Sequence, residues 1–300
     1  MIWQEYRKLY LNALKTYSPK FKKELQKQVD TYCRTQDYAA MSSKGIAKTI
    51  KQLHVALGTK MALDTNKSIK KATKGFYEPF EVKMSQTDIY SYVILQFLER
   101  QGVNQIADEI TNTTANQIAA YLQKGFENNL TIQELIPMLR QAGITDFRAE
   151  LIARTETGRA ANLGAMVGAT ATGLVTMKEW ISAQDARTRR MPPSYADHYV
   201  MDGVKVNYDE PFKVPTSMKA KGGTHIGNYE LMMHPCDSGA SAANVCNCRC
   251  TVAFEAQRDA NGKLKTFDTN PPKGDIGFIW GVLGNIAGIE IGKLIADALQ

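Results

Sequence analysis

The sequence predicts an α+β fold: a helical N-terminal half followed by a small, mostly antiparallel β module, with an apolar helix at the C-terminal end. Three observations predict it. Apolar residues recur at three- and four-residue steps as far as about residue 173. After that the pattern shifts to short alternating runs punctuated by Gly, Pro, Asn and Asp. The final stretch, IGFIWGVLGNIAGIEIGKLIADALQ, is apolar and carries regularly spaced glycines. A length of 300 residues fits roughly two domains. Five segments follow from these shifts: a basic helical region 1–85, a second helical part 86–175, a β-rich module 176–256, a linker 257–275 and a Gly-rich apolar helix 276–300.

The elements can be justified in order. Trp3, Tyr6, Tyr10, Leu14 and Tyr17 form one helical face, and Pro19 reads as a break or the start of a second helix. Ile46, Ile50, Leu53 and Leu57 repeat the pattern up to Gly58, and a turn is expected at Pro79. Ile89 to Leu98 form an apolar helix ended by Gly102, and Ile106, Ile110, Ile118 and Leu122 form another. Thr131 and Glu134 make a capping box for a short helix closed by Gly143, in which Pro137 is tolerable only near the start. The Ala- and Gly-rich ELIARTETGRAANLGAMVGATATG permits close backbone packing and predicts a buried central helix. MKEWISA reads as a strand, YVMDGVKV as a hairpin turning at Asp202-Gly203, and 207–243 as a long loop. VCNCRCTVAF reads as a further strand, and 257–275 as a short hairpin or linker.

Charge is distributed unevenly. Residues 1–75 hold 16 Lys/Arg against 5 Asp/Glu within a chain of net charge +7. Such a lysine-rich surface suits either plain solvation or weak, salt-sensitive contact with phosphates. The N-terminal stretch lacks the uninterrupted apolar core of a secretory signal, and four of the 5 cysteines crowd between Cys236 and Cys250. That is unlike a secreted disulfide scaffold and fits a reducing compartment. No phosphate-binding loop is present, since KGGT at 221–224 lacks the required spacing, and no G-x-S-x-G nucleophile turn occurs. The tail at 276–299 is interrupted by Asn285, Glu290, Lys293 and Asp297, so docking on protein is favoured over contact with a membrane.

One ordered set of motifs stands out: ARTETGRAANLGA, KEWISAQDARTR, His198, MDG at 201–203, HPCD at 234–237 and NCRC at 247–250. Its order and spacing resemble the phage Mu F-like family of minor head, or head morphogenesis, proteins over roughly residues 100–256. The matching positions are Arg154, Thr155, Glu156, Asn162, Lys178, Trp180, Asp185, Arg187, Thr188, Arg189, His198, Met201, Asp202, Gly203, Pro235, Asp237, Asn247, Cys248, Arg249 and Cys250. Two departures matter. MPPSYAD lengthens the spacer before His198, and Cys236 and Cys246 stand where the family pattern does not require cysteine. The resemblance implies a structural protein of the virion, made in the host cytoplasm and acting in head assembly. Its implied partners are the portal protein and other head proteins, with double-stranded DNA close to the basic region.

The residues also carry their own chemistry. In a strand, positions 246, 248 and 250 would share a face. With His198, His225, His234 or Cys236 these thiols would complete a tetrahedral structural zinc site, for which Cys236, Cys248, Cys250 and His198 are the preferred ligands. Packed thiols that anchor the long loop are favoured over the metal, and a disulfide from Cys236 is the remaining alternative. Glu156, Arg159 and Asn162 share a broad side of their helix and would lock it to the sheet. Asp185, Arg187, Arg189 and Arg249, with Asn247 beside them, would clamp strand to turn, Arg249 pairing with Asp185 or Asp202. His54 and Cys33 read as ordinary helix residues. No catalytic residues are assigned. The alternatives to an assembly protein are a metal-dependent hydrolase or toxin-like enzyme gathering Asp, His and Glu156 around a metal, and a membrane-active protein ejected with the genome.

Overall fold

The computed structural model describes residues 3–73, 85–223, 225–267, 272 and 274–285. Its helices are α1 (Trp3–Thr35), α2 (Lys44–Leu53), α3 (Thr59–Ala72), α4 (Gln86–Arg100), α5 (Val103–Glu127), α6 (Ile132–Gln141) and α7 (Ile144–Thr170). The β module follows, with β1 (Thr176–Ile181), β2 (Lys205–Asn207), β3 (Phe212–Pro215), β4 (His225–Ile226), β5 (Tyr229–Met232), a single helical turn α8 (Ala242–Val245) and β6 (Thr251–Ala256). Helix α9 covers Gly274–Asn285. The expected turn at Pro79 and the rest of the C-terminal helix lie outside the described residues. Among the described residues no helix is long and apolar enough to cross a membrane.

The α+β class holds, and α7 is its axis. It packs against α1, α3 and α4 and meets β6, and most of its side chains are buried. Small residues allow this: a Cβ on Gly164 would lie 2.1 Å from the Gly58 carbonyl oxygen, and one on Gly168 would lie 2.1 Å from that of Ala62. Gly58 therefore does not end a helix. His54–Gly58 form a π turn that joins α2 to α3 without a break, and the glycine serves close approach instead. Pro19 does not break α1 either. Tyr6, Tyr10, Tyr17, Phe21 and Leu25 all lie in the same core, on both sides of the proline. Burying the wholly enclosed Phe21 and Leu25 contributes about 1.5–3 kcal/mol each, enough to offset the roughly 3 kcal/mol of an interior proline. Pro137 likewise sits inside α6, whose Leu135 and Leu139 anchor it to α1 and α5. The capping box of Thr131 and Glu134 is formed, and Gly143 takes the left-handed conformation between α6 and α7.

The β module departs further from expectation. β2, β1 and β6 form one antiparallel sheet, with Lys178 opposite Val206 and Trp180 opposite Val252. Residues 199–203 are a turn rather than a strand, so VKV pairs with β1 instead of with YVM. The segment read as a long loop holds a second antiparallel sheet of order β3-β5-β4. Its strands are too short for periodicity to reveal: four, two and four residues. VCNCRC is not a strand. α8 covers its start, Asn247 has a left-handed φ of 64°, and β6 begins only at Thr251.

Candidate functional site

The motif residues converge where α7 meets the β module. Asn162 is fully buried and joins three segments. Its Nδ2 donates to the carbonyls of Gly158 (2.9 Å), Pro235 (2.9 Å) and Cys250 (3.3 Å). Its Oδ1 accepts from Thr251 Oγ1 at 3.1 Å and from the Val252 amide at 3.0 Å. One helical turn earlier, Arg159 Nη1 donates to Glu156 Oε1 at 2.7 Å, and Arg159 Nε reaches the Cys236 carbonyl at 3.3 Å. The second Glu156 oxygen meets His54 Nε2 at 3.1 Å. Burial opposes ionisation of Glu156, but Arg159 and His54 outweigh it and hold the carboxyl below its ordinary value. Burial also lowers the pKa of His54, so a neutral imidazole donating from Nε2 fits this pair.

A second group surrounds Arg249. Its guanidinium takes Asp185 in a bidentate pair, which holds the Asp185 carboxyl far below the usual carboxylate range. Asp185 also accepts from the Arg187 amide at 2.9 Å and from Thr188 Oγ1 at 3.3 Å, while the Arg187 side chain itself is exposed. Arg189 Nη2 donates to the Cys246 carbonyl. Asp202 is not the partner of Arg249: it accepts from the Ser182 amide at 2.8 Å and fastens the turn after β1. Asn247 receives Arg154 Nη1 at 3.4 Å, and its own amide donates to Thr155 Oγ1 at 3.0 Å.

The third group is a buried cluster of imidazole and thiols. The long spacer before His198 loops out and returns, so that the His198 and Tyr199 amides both donate to the Arg189 carbonyl, at 3.0 and 3.1 Å. His198 Nε2 lies 2.9 Å from Asn244 Oδ1. The Asn244 amide nitrogen donates to Thr216 Oγ1 and to Glu230 Oε2, each at 2.8 Å, so its oxygen must accept and Nε2 must carry the imidazole proton. The bare Nδ1 then faces Cys248 Sγ at 3.5 Å and Cys250 Sγ at 3.6 Å. Cys236 Sγ lies beside them and donates to the Cys248 carbonyl at 3.8 Å. Among the described residues, His198, Cys248 and Cys250 are the ligand-type side chains close enough together to hold a metal ion. Cys246 is only half-buried and stands apart, because no strand aligns it with Cys248. His225 and His234 are engaged elsewhere, with Glu230 at 2.9 Å and the Pro235 carbonyl at 2.8 Å. Glu156, Asp185 and His198 each have separate partners, and the three are not gathered into a common centre.

Three residues escaped the sequence reading. His54 was passed over as an ordinary helix residue, although its place between Leu53 and Leu57 on an apolar face was a signal. Glu230 is fully buried at i−2 from Met232 in β5. Lys178 matched the motif but received no role. It points inward two residues before Trp180, donates to the Met233 carbonyl at 2.8 Å and lies over the Phe212 ring.

Burial lowers the Lys178 pKa to about 8 from its ordinary 10.5. Between those values the unfolded chain binds more protons than the folded one, so this group makes stability rise with pH and its penalty is full below pH 8. At about 1.4 kcal/mol per unit the penalty is on the order of 3 kcal/mol. K178M should therefore gain on wild type at pH 7, with the difference shrinking by pH 10. Urea unfolding of both proteins at the two pH values checks this, and a constant difference would refute it.

No curated protein and no solved structure matches the chain. Residues 116–253 match a family model described as Phage Mu protein F like protein. That stretch contains every motif residue just placed, from Arg154 in α7 to Cys250 before β6. Residues 116–253 are thus similar to the phage Mu F-like family, in agreement with the resemblance carried by the ordered motifs.

Proposed function

We propose that the protein is a phage head morphogenesis protein, a minor structural component of the virion that sits at the portal vertex close to packaged DNA. The observation that carries this reading is the family match over residues 116–253, which contains the whole ordered motif set. The use made of those residues supports a structural role. Asn162, Glu156, Arg159, Asp185 and Arg249 are engaged with one another, with His54, Thr188 and Thr251 and with backbone groups, so these five are used in holding the fold together. The basic region supports contact with DNA, because Lys8, Lys15, Lys20 and Lys23 are exposed along α1 and Lys67 and Lys71 along α3.

Pull-down against the purified portal protein, paired with nuclease assays in Mg²⁺, Mn²⁺ and Zn²⁺, tests the proposal. Retention by portal and no cleavage are expected. Metal-dependent cleavage abolished by D185A would favour the hydrolase alternative. DNA binding should be independent of sequence. With about four phosphate contacts it should weaken roughly 100-fold between 50 and 200 mM salt. Fluorescence anisotropy with two unrelated duplexes measures this, and salt-insensitive binding would remove DNA from the reading.

A further inference from the structure

We propose that Cys236, Cys248, Cys250 and His198 bind one structural Zn²⁺ in a closed, tetrahedral site that fastens the β module. The inference stands apart from the portal reading and rests on the cluster's own geometry.

The distances match those of a metal site. Zinc bound to sulfur at about 2.3 Å and to imidazole nitrogen at about 2.05 Å gives a tetrahedral N···S edge of about 3.55 Å. The two edges from His198 Nδ1 measure 3.5 and 3.6 Å. As thiols, Cys248 and Cys250 would compete for a single lone pair on that nitrogen. As thiolates around a cation, both sulfurs and the nitrogen address one centre. All five cysteines are free, so no disulfide accounts for the convergence.

The surroundings match a metal's outer shell. A zinc-bound imidazole normally gives its other N–H to an oxygen that fixes its tautomer. Asn244 Oδ1 does this here, itself held by Glu230 and Thr216. The indole N–H of Trp180 is fully enclosed and has no hydrogen-bond partner. Cys236 is held at a φ of 64°, uncommon for a residue with a side chain, with its sulfur beside the cluster, 3.8 Å from the Cys248 carbonyl and a small shift from the fourth ligand position. Three thiolates and Zn²⁺ leave one net negative charge, and the Arg159 and Arg189 guanidinium groups lie nearby to offset it. All four ligands are buried, the pattern of a structural site rather than one with an open position. On binding, three S–H bonds break, three Zn–S bonds and one Zn–N bond form, and three protons leave to solvent. No oxidant is needed.

The test uses the full chain, purified without chelator and analysed by plasma mass spectrometry. One zinc per chain is expected. Exchange with Co²⁺ should give a near-ultraviolet sulfur-to-metal band and the strong visible bands of a tetrahedral ion. Stripping with a strong chelator should abolish the cooperative melting of the β module, and Zn²⁺ should restore it. C248S, C250S and H198Q should lose the metal, whereas C33S and C246S should keep it and serve as folded controls. A folded wild-type protein that takes up neither Zn²⁺ nor Co²⁺ overturns the proposal. So does loss of metal in C246S, or a cobalt spectrum without the sulfur band.

Discussion

Replacing Asn162 with leucine should cost the fold roughly 3–5 kcal/mol, counting about 1–3 kcal/mol for each buried polar group left without a partner. Asn162 uses both ends of its carboxamide: the oxygen takes the Val252 amide and Thr251 hydroxyl, and the nitrogen takes the Pro235 and Cys250 carbonyls. Leucine fills a similar volume, so little of the loss would come from a cavity. The aspartate variant makes the cause plain. It preserves the shape and the accepting oxygen but turns the NH2 group into an acceptor facing the Gly158, Pro235 and Cys250 carbonyls. N162D should therefore be at least as damaging as N162L, although only one heavy atom differs. Urea unfolding of wild type and both variants measures the effect. Losses below about 1 kcal/mol in both would show that the junction of α7 with the β module is held by packing alone.

The helical half was legible because its signals are long and mutually consistent. α7 runs from Ile144 to Thr170, its Gly and Ala spacing states how closely its neighbours approach, and the capping box at Thr131 is local chemistry. Where local breakers stand inside these helices, one cause decides. Pro19, Gly58 and Pro137 are local breakers, and in each case burial on both sides outweighs the local preference. The β module was less legible because its strands are two to six residues long and their pairing is non-local. Nothing in VKV says that its partner is β1 rather than the nearer YVM.

The site was readable in part for a different reason. Asp185 and Arg249 are 64 residues apart, and Asn162 and Val252 are 90 apart. Their association was inferred from the ordered motifs rather than from any local pattern. Cys246 was grouped with Cys248 and Cys250 on the assumption of a strand, and the left-handed Asn247 separates them. Glu230, Asn244 and Thr216, which orient His198, were invisible because they lie in a segment without detectable period. For His54, the apolar helix face signals burial but not the carboxylate of Glu156 that meets it from α7.

The close approach of α7 to its neighbours yields the other large effect expected. In an exposed helix interior, alanine for glycine stabilises by up to about 1 kcal/mol, because alanine loses less backbone entropy. G164A should do the reverse. Its Cβ would sit 2.1 Å from the Gly58 oxygen and 2.7 Å from the Gly58 carbonyl carbon, and backbone cannot move aside as a side chain can. Overpacking typically costs 1–3 kcal/mol even where rotamers can adjust, so a net loss of about 2 kcal/mol or more is expected for G164A and a greater one for G164V. Gly281 in α9 provides the contrast, since a Cβ there meets nothing within 4 Å, and G281A should be neutral or stabilising. The Gly164 effect should extend to the motif residues. Pushing α7 away from α3 shifts the helix that carries Glu156, Arg159 and Asn162, so G164A should also loosen the Asn162 junction. Hydrogen exchange at the Val252 amide, which Asn162 protects, should then accelerate in G164A and stay unchanged in G281A. Equal stability of G164A and G281A would show that the two helices do not pass this close.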